Sequence, residues 1–172
     1  MIQLVEPERL RLGDTLGRFF PTAPADKRPI PIAQLLNHRP GFPMGIGPDD
    51  EVLPLEPFLA RLFARPLEFA PGTARQYSNA GYSLLAAIVQ QLTGRPFDAH
   101  LDSVIFRPLS MRETGLLLPR FAPDRLAHGV RGGEDQRTML DMPHANDGHY
   151  WNLRGNGGLV ATASDMHRFY RA

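Results

Sequence analysis

The chain has 172 residues, 42% hydrophobic and 22% charged, with a formal net charge of +1, which is enough for one domain with a real core and too few for two ordinary ones. Charges of both signs are interspersed and there is no cysteine, so nucleic acid is not an expected partner, and disulfide scaffolds, thiolate metal sites and a cysteine nucleophile are excluded. No apolar run approaches a bilayer span and the N-terminus lacks the basic start and apolar core of a signal peptide, so no membrane span is expected and the chain as written is cytoplasmic, its compartment otherwise unread.

Met1 to Leu16 reads as the end of a pattern, with Ile2, Leu4 and Val5 broken at Pro7 and Leu10, Leu12 and Leu16 following. Residues 21–31 are proline-rich and charged, a surface connection with little regular structure. They contain Lys27, the single lysine beside eighteen arginines, so any mechanism that needs a lysine has only this one to use. Pro31 suits a first helical position, and Ile32, Leu35 and Leu36 give a short apolar face that Asn37-His38-Arg39-Pro40-Gly41 stops. His38 at this helix end offsets the dipole or fills a gap, a structural role in either case. Residues 40–54, rich in proline and glycine, read as a loop at the rim of a site. Leu55, Phe58, Leu59, Leu62 and Phe63 then share one helical face, ended by Pro66.

Residues 69–95 are the centre of the chain. Pro71 pre-sets φ for the second position of a turn and Gly72 supplies the positive φ that a type II turn needs at its third. Leu85, Ile88, Val89 and Leu92 recur at i, i+3, i+4 and i+7, and Gly94 with Pro96 is a stop signal, which together predict a buried helix of three to four turns. Its N-cap is Ser78 or Asn79, so Tyr77 and Asn79 stand at a helix mouth, where side chains project into a cleft.

Phe97, Leu101, Val104 and Ile105 predict a further amphipathic helix, opened by Pro96 and closed by Pro108. Residues 115–118 form a short apolar run and 126–131 a second candidate extended segment. Residues 132–158 read as a long loop rich in Gly, Asp, Asn and His. Thr162, with Asp165 three residues on, is a capping-box-like start to a last helix whose inward face is Met166, Phe169 and Tyr170.

Two readings of the central element stand open on residue chemistry. A tyrosine two residues before an asparagine at a helix mouth can serve as general base and as anchor for a substrate amide, provided the surroundings favour a phenolate over its ordinary pKa of about 10. Equally, Tyr77 packs and Asn79 caps. Asp141, His144, Asp147 and His149 fall close together, but their spacing matches no defined ligand pattern and they read as a solvated loop, not a metal site. Met139, Met142 and Trp151 line an apolar acyl pocket or form the packed underside of the long loop.

Taken in order, Pro31-Ile32-Ala33-Gln34-Leu35-Leu36-Asn37-His38 with Gly41, Phe69-Ala70-Pro71-Gly72 before Tyr77-Ser78-Asn79-Ala80-Gly81-Tyr82, Arg107-Pro108-Leu109-Ser110-Met111 with Thr114, and Gly157-Gly158-Leu159-Val160 with Thr162, Asp165 and Phe169 resemble the serine β-lactamase and penicillin-binding-protein family. Within it they look most like the class C β-lactamase, D-Ala-D-Ala carboxypeptidase and esterase branch. The resemblance covers nearly the whole chain and implies an α+β fold, of which these residues are mainly the helical lobe with a few short strands. It implies an acyl-enzyme mechanism on lactam, peptide or ester substrates, with Tyr77 in the base role, Asn79 on the substrate's acyl side, Ser78 as neither, and no metal or other cofactor.

The departures are specific. The family's nucleophile is the serine of a Ser-x-x-Lys, and three residues before Lys27 stands Pro24. No Lys-Thr-Gly is present, His128-Gly129 lies too early to replace it, and Arg39-Pro40 stands where relatives more often carry Thr-Ser. The resemblance therefore implies that residues 1–172 are a partial domain: Met1 to Asp14 matches the stretch after the Ser-x-x-Lys helix, and Ala172 falls before the third-motif strand. On this reading the chain alone is inactive, and a complementing fragment is a conceivable partner. The competing reading is a non-catalytic ligand-binding or interaction module derived from the same fold.

Overall fold

The computed structural model describes residues 9–116, 122–138, 141 and 150–172. Its elements in chain order are α1 (Leu16–Phe19), α2 (Ile32–Leu36), α3 (Leu55–Ala64), α4 (Asn79–Thr93), α5 (Phe97–Leu101), β1 (Gly115–Leu116), a 3₁₀ turn (Pro123–Arg125), β2 (Val130–Arg131), β3 (Glu134–Asp135), β4 (Leu159–Val160) and α6 (Ala163–Tyr170). Helices form the core and two short antiparallel pairs lie beside them.

The central helix is α4. Gly94 ends it in the left-handed conformation at φ +66°, a conformation that costs a residue with a Cβ more than it costs glycine. Its burial exceeds the apolar stripe, because Ala80, Gly81, Ser83, Ala86 and Ala87 are covered as well as Leu84, Leu85, Ile88 and Val89. Small side chains on the flanks let neighbouring segments close in from several directions. Leu84 and Ile88 meet Leu10, Leu16, Ile32, Leu35, Phe42, Phe58 and Leu62 in one continuous core, and each such side chain contributes roughly 1.5–3 kcal/mol through removal from water.

The connection through residues 21–31 is irregular, as expected, but it is bound to the core. Thr15 and Pro31 bridge antiparallel, and Leu16 N–H donates to Ile30 O at 2.9 Å. Lys27 is buried in this segment with its ammonium on Asp26 at 2.9 Å. The loop 40–54 is also fixed in place, with Phe42, Ile46 and Leu53 buried. Asn152 donates to Pro48 O and to Glu51 Oε2, both at 2.9 Å. The Arg61 hydrogen bond, together with the Asn152 amide and against the opposing effect of burial, holds the Glu51 carboxyl below its ordinary range.

After α5 the backbone continues as a π turn over Asp102–Phe106, with Arg107 N–H on Asp102 O at 2.9 Å. The turn changes which side chain faces inward: Phe106 is buried, whereas Val104 and Ile105 of the expected stripe are only partly covered. Of the run 115–118, residues 115 and 116 form β1, which pairs with β4 in the register Gly115↔Val160 and Leu116↔Leu159. Residues 117 and 118 lie outside the described residues. The segment 126–131 is extended only at its end, where β2 pairs with β3 across Gly132 and Gly133, both at positive φ, in a two-residue hairpin turn.

The start of α6 forms as expected, with Thr162 Oγ1 accepting from Asp165 N–H at 3.2 Å. The expected inward face is a correction. Phe169 is 43% and Tyr170 80% exposed, and they pack on each other at 5.9 Å between ring centroids. The residue α6 buries is Asp165, fully enclosed, whose carboxylate accepts from Glu113 N–H at 2.7 Å, Thr114 Oγ1 at 2.9 Å and the Arg168 guanidinium. Burial opposes its charge, but these three donors outweigh it and hold its pKa below the ordinary value near 3.8.

A carboxyl with a lowered folded pKa contributes stability above its unfolded value and loses it as pH falls through the folded one. Stability of the chain is therefore expected to drop below pH 4, and Asp165→Asn is expected to flatten that part of a denaturant-midpoint titration. An unchanged acid limb in the variant would remove Asp165 from the account.

Candidate functional site

Two stretches of backbone build the mouth of α4. The turn Ala70-Pro71-Gly72-Thr73 closes with Thr73 N–H on Ala70 O at 3.1 Å, and Gly72 sits at φ +85°, as a type II turn requires. Residues 68–80 then run beside residues 38–44: Glu68 N–H donates to Gly41 O at 2.8 Å, Gly72 N–H to Arg39 O at 2.9 Å, Gln76 N–H to His38 O at 2.9 Å and Asn79 N–H to Met44 O at 2.7 Å. The Tyr-Ser-Asn element is thus held by long-range backbone bonds before α4 begins.

Ser78 is the N-cap. Its hydroxyl accepts from Gly81 N–H at 3.0 Å and donates to Pro43 O at 2.7 Å, and the residue is buried. With donor and one acceptor position committed to the backbone, it is a cap and not a nucleophile. Tyr77 is 55% exposed, with its ring against His38 at 4.6 Å between centroids. It stands at an open mouth and not in an enclosed cleft. Asn79 is the first residue of α4 and partly buried, and its Oδ1 is shielded from solvent with no hydrogen-bond partner. A buried carbonyl oxygen without a donor is costly, of the order of 1–3 kcal/mol.

Of the two structural roles expected for His38, the structure shows the gap-filling one. It does lie just beyond a helix end, but it does not act there as a cation. Its Nδ1 accepts from Ser78 N–H at 3.2 Å, and burial, reinforced by the Arg75 charge, lowers its pKa. The ring lies between Tyr77 and Tyr82, the latter 4.8 Å away and donating through its hydroxyl to Leu36 O at 3.1 Å. Periodicity carries no trace of this bond, because its partners are forty residues apart.

The long loop supplies a second support. Asn156 Nδ2 donates to Ser83 Oγ and to Asn152 O, each at 2.8 Å, and lies 3.4 Å from Asn79 O. Gly155 presses directly on α4: a Cβ there would sit 2.8 Å from Tyr82 O and 2.6 Å from Ala86 Cβ, at φ +88°. Gly155→Ala is expected to destabilise the chain by about 2–5 kcal/mol, from positive φ on a residue with a Cβ and from overpacking against backbone. A urea midpoint within error of the parent would show that the loop yields freely. The glycine-rich run 155–158 was the only sequence signal for this support.

Trp151 is buried against Phe58 at 6.2 Å between centroids, which makes it the packed underside of the loop, whereas Met139 and Met142 lie outside the described residues. Of the four residues weighed as metal ligands, His144, Asp147 and His149 also lie outside them. Asp141 accepts from Thr138 N–H and Thr138 Oγ1 at 2.9 and 2.8 Å. Among the described residues no cluster of three or more candidate ligands occurs, and no helix is long and apolar enough to cross a membrane. Two larger cavities, of 720 Å³ beside Phe19, Phe20, Leu59 and Phe63 and of 740 Å³ beside Arg112, Arg125, Leu159 and Thr162, do not include Tyr77 or Asn79.

A protein of Escherichia coli (strain K12), provisionally assigned as a D-alanyl-D-alanine carboxypeptidase, is 27% identical over 198 residues, spanning 95% of this chain and 44% of its own length. Among solved structures, the penicillin binding protein from Bacillus halodurans matches with TM-score 0.76 and 26% identity over 99% of this chain and 54% of that one. The D-amino acid amidase from Ochrobactrum anthropi SV3, complexed with L-phenylalanine, matches with TM-score 0.76 and 27% identity over 99% and 49%. The chain spans about half the length of these relatives, and its α+β fold is that of the β-lactamases and penicillin-binding proteins. The model of the family described as Beta-lactamase matches residues 1–172 from end to end, and the chain belongs to that family.

Proposed function

We propose that residues 1–172 are the helical portion of a serine hydrolase that works through an acyl-enzyme on a lactam, peptide or ester, and that they supply two of its working groups. Tyr77 is the base partner and Asn79 the anchor for the acyl group. The observation that supports this reading is the contrast between neighbouring residues: Ser78 is spent on capping, whereas Tyr77 is open to solvent beside Asn79, the first residue of α4.

In the proposed reaction the attacking hydroxyl comes from a Ser-x-x-Lys segment outside these residues. Its oxygen adds to the acyl carbonyl while its proton passes toward the Tyr77 side, the amine or alcohol leaves with a proton, and water then cleaves the acyl-enzyme to carboxylate and free serine. Asn79, on rigid helix rather than loop, sets the acyl group's orientation. Lys27 does not enter, because its ammonium is buried on Asp26 in the 21–31 connection.

The absence of Ser-x-x-Lys from the sequence favours the second reading, a non-catalytic ligand-binding or interaction module. The coding sequence upstream of Met1, read in frame, separates the two. A Ser-x-x-Lys there, and hydrolysis by the expressed longer chain that Tyr77→Phe depresses, supports the hydrolase. A longer chain without it, or one that carries it and hydrolyses nothing, supports the module, whereas activity indifferent to Tyr77 removes Tyr77 from the base role.

A further inference from the structure

We infer that His38 is the positioning residue of the Tyr77–Asn79 element, its neutral Nδ1 fixing the Ser78 amide and its ring occupying the space between the Tyr77 and Tyr82 rings. Four independent contacts converge on this one side chain and its backbone. The Ser78 N–H points at Nδ1 at 3.2 Å, Gln76 N–H donates to the His38 carbonyl at 2.9 Å, and the two phenol rings lie 4.6 and 4.8 Å away. His38 itself is 9% exposed and held at φ +56°, a conformation uncommon for a residue with a Cβ. A side chain kept there at that conformational cost is placed by its contacts.

The chemistry follows from the imidazole's protonation state. A neutral ring has one acceptor nitrogen and a protonated ring has none, so a bond accepted at Nδ1 requires the proton to be on Nε2. Protonating Nδ1 sets two N–H groups against each other and leaves the buried Ser78 N–H without a partner, at the residue between Tyr77 and Asn79. The groups facing the ring are the Tyr77 and Tyr82 phenols and the Arg75 charge, while the neighbouring Arg39 guanidinium is engaged on Gly72 O. Burial and Arg75 both disfavour the imidazolium. A histidine whose folded pKa is lowered contributes stability above its ordinary value near 6.5 and loses it as pH falls toward the folded value. The element is thus set at neutral pH and loosened by acid. The consequence for catalysis rests on the reading of Tyr77 as base.

Nitrogen-15 NMR of the 172-residue chain tests this without reference to hydrolysis, so its failure and the failure of the catalytic reading are distinguishable. Long-range proton–nitrogen spectra are expected to show His38 unprotonated at Nδ1 at neutral pH, with a titration midpoint below 6.5. The hydrogen-exchange protection of Ser78 is expected to fall with that same midpoint. His38→Ala is expected to raise Ser78 exchange by about 3- to 10-fold or more. His38→Asn, whose side-chain oxygen can accept in place of Nδ1 and which tolerates positive φ, is expected to restore protection and abolish its pH dependence. A protonated Nδ1 at neutral pH, Ser78 protection indifferent to His38 titration, or an Asn variant no better than Ala would each overturn the inference. Should the Ala variant not fold, the pH titration of the parent and the Asn variant decide it.

Discussion

The purified 172-residue chain is expected to hydrolyse neither nitrocefin nor p-nitrophenyl esters above the background rate. Acyl transfer through an acyl-enzyme needs a nucleophile that forms and breaks a covalent bond, and the hydroxyl adjacent to the proposed base in sequence, that of Ser78, donates to Pro43 O and accepts from Gly81 N–H. Freeing it would uncap α4, at about 1 kcal/mol or more, and would leave buried backbone groups unpaired. A positioned base contributes typically about 10²–10⁴-fold on its own, which does not replace covalent catalysis. Reproducible turnover by this chain that disappears in Tyr77→Phe would refute the assignment of the nucleophile to residues outside it.

In a longer chain carrying Ser-x-x-Lys, Tyr77→Phe is expected to lower kcat by about 10²–10⁴-fold with KM changed far less. The substitution removes a proton acceptor and keeps the ring that lies on His38 at 4.6 Å, so the mouth of α4 should hold its shape. In the proposed role the phenol acts as charge develops and not in substrate binding, so the loss belongs in kcat. A rate factor of that size corresponds to about 3–5 kcal/mol of transition-state stabilisation. A kcat within threefold of the parent would show that proton transfer runs through another group, and the role of Tyr77 would reduce to packing against His38.

The two expectations locate the chemistry differently. The first depends on what Ser78 already does in the fold, the second on what Tyr77 is left free to do. Asn79 lies between these cases, since its N–H is committed to Met44 O whereas its Oδ1 is uncommitted.

What the sequence by itself determined is local in origin. The α4 helix, a cap at Ser78 or Asn79 that the structure resolves to Ser78, its Gly94 stop and the type II turn at Pro71-Gly72 follow from side-chain periodicity and from the few residues that tolerate capping and positive φ. The motifs in order likewise sufficed for the family and its α+β fold. Only the tertiary structure decided how the site is held: the bond from Ser78 N–H to His38, the insertion of Gly155 against Tyr82, the Asn156 bond to Ser83, and the burial of Asp165 in place of Phe169 and Tyr170. Each of these joins residues far apart in the chain or turns on which neighbour covers a helix face. Hydrophobic period and turn chemistry report a residue's surroundings within about two helical turns, and carry nothing about a partner forty residues away.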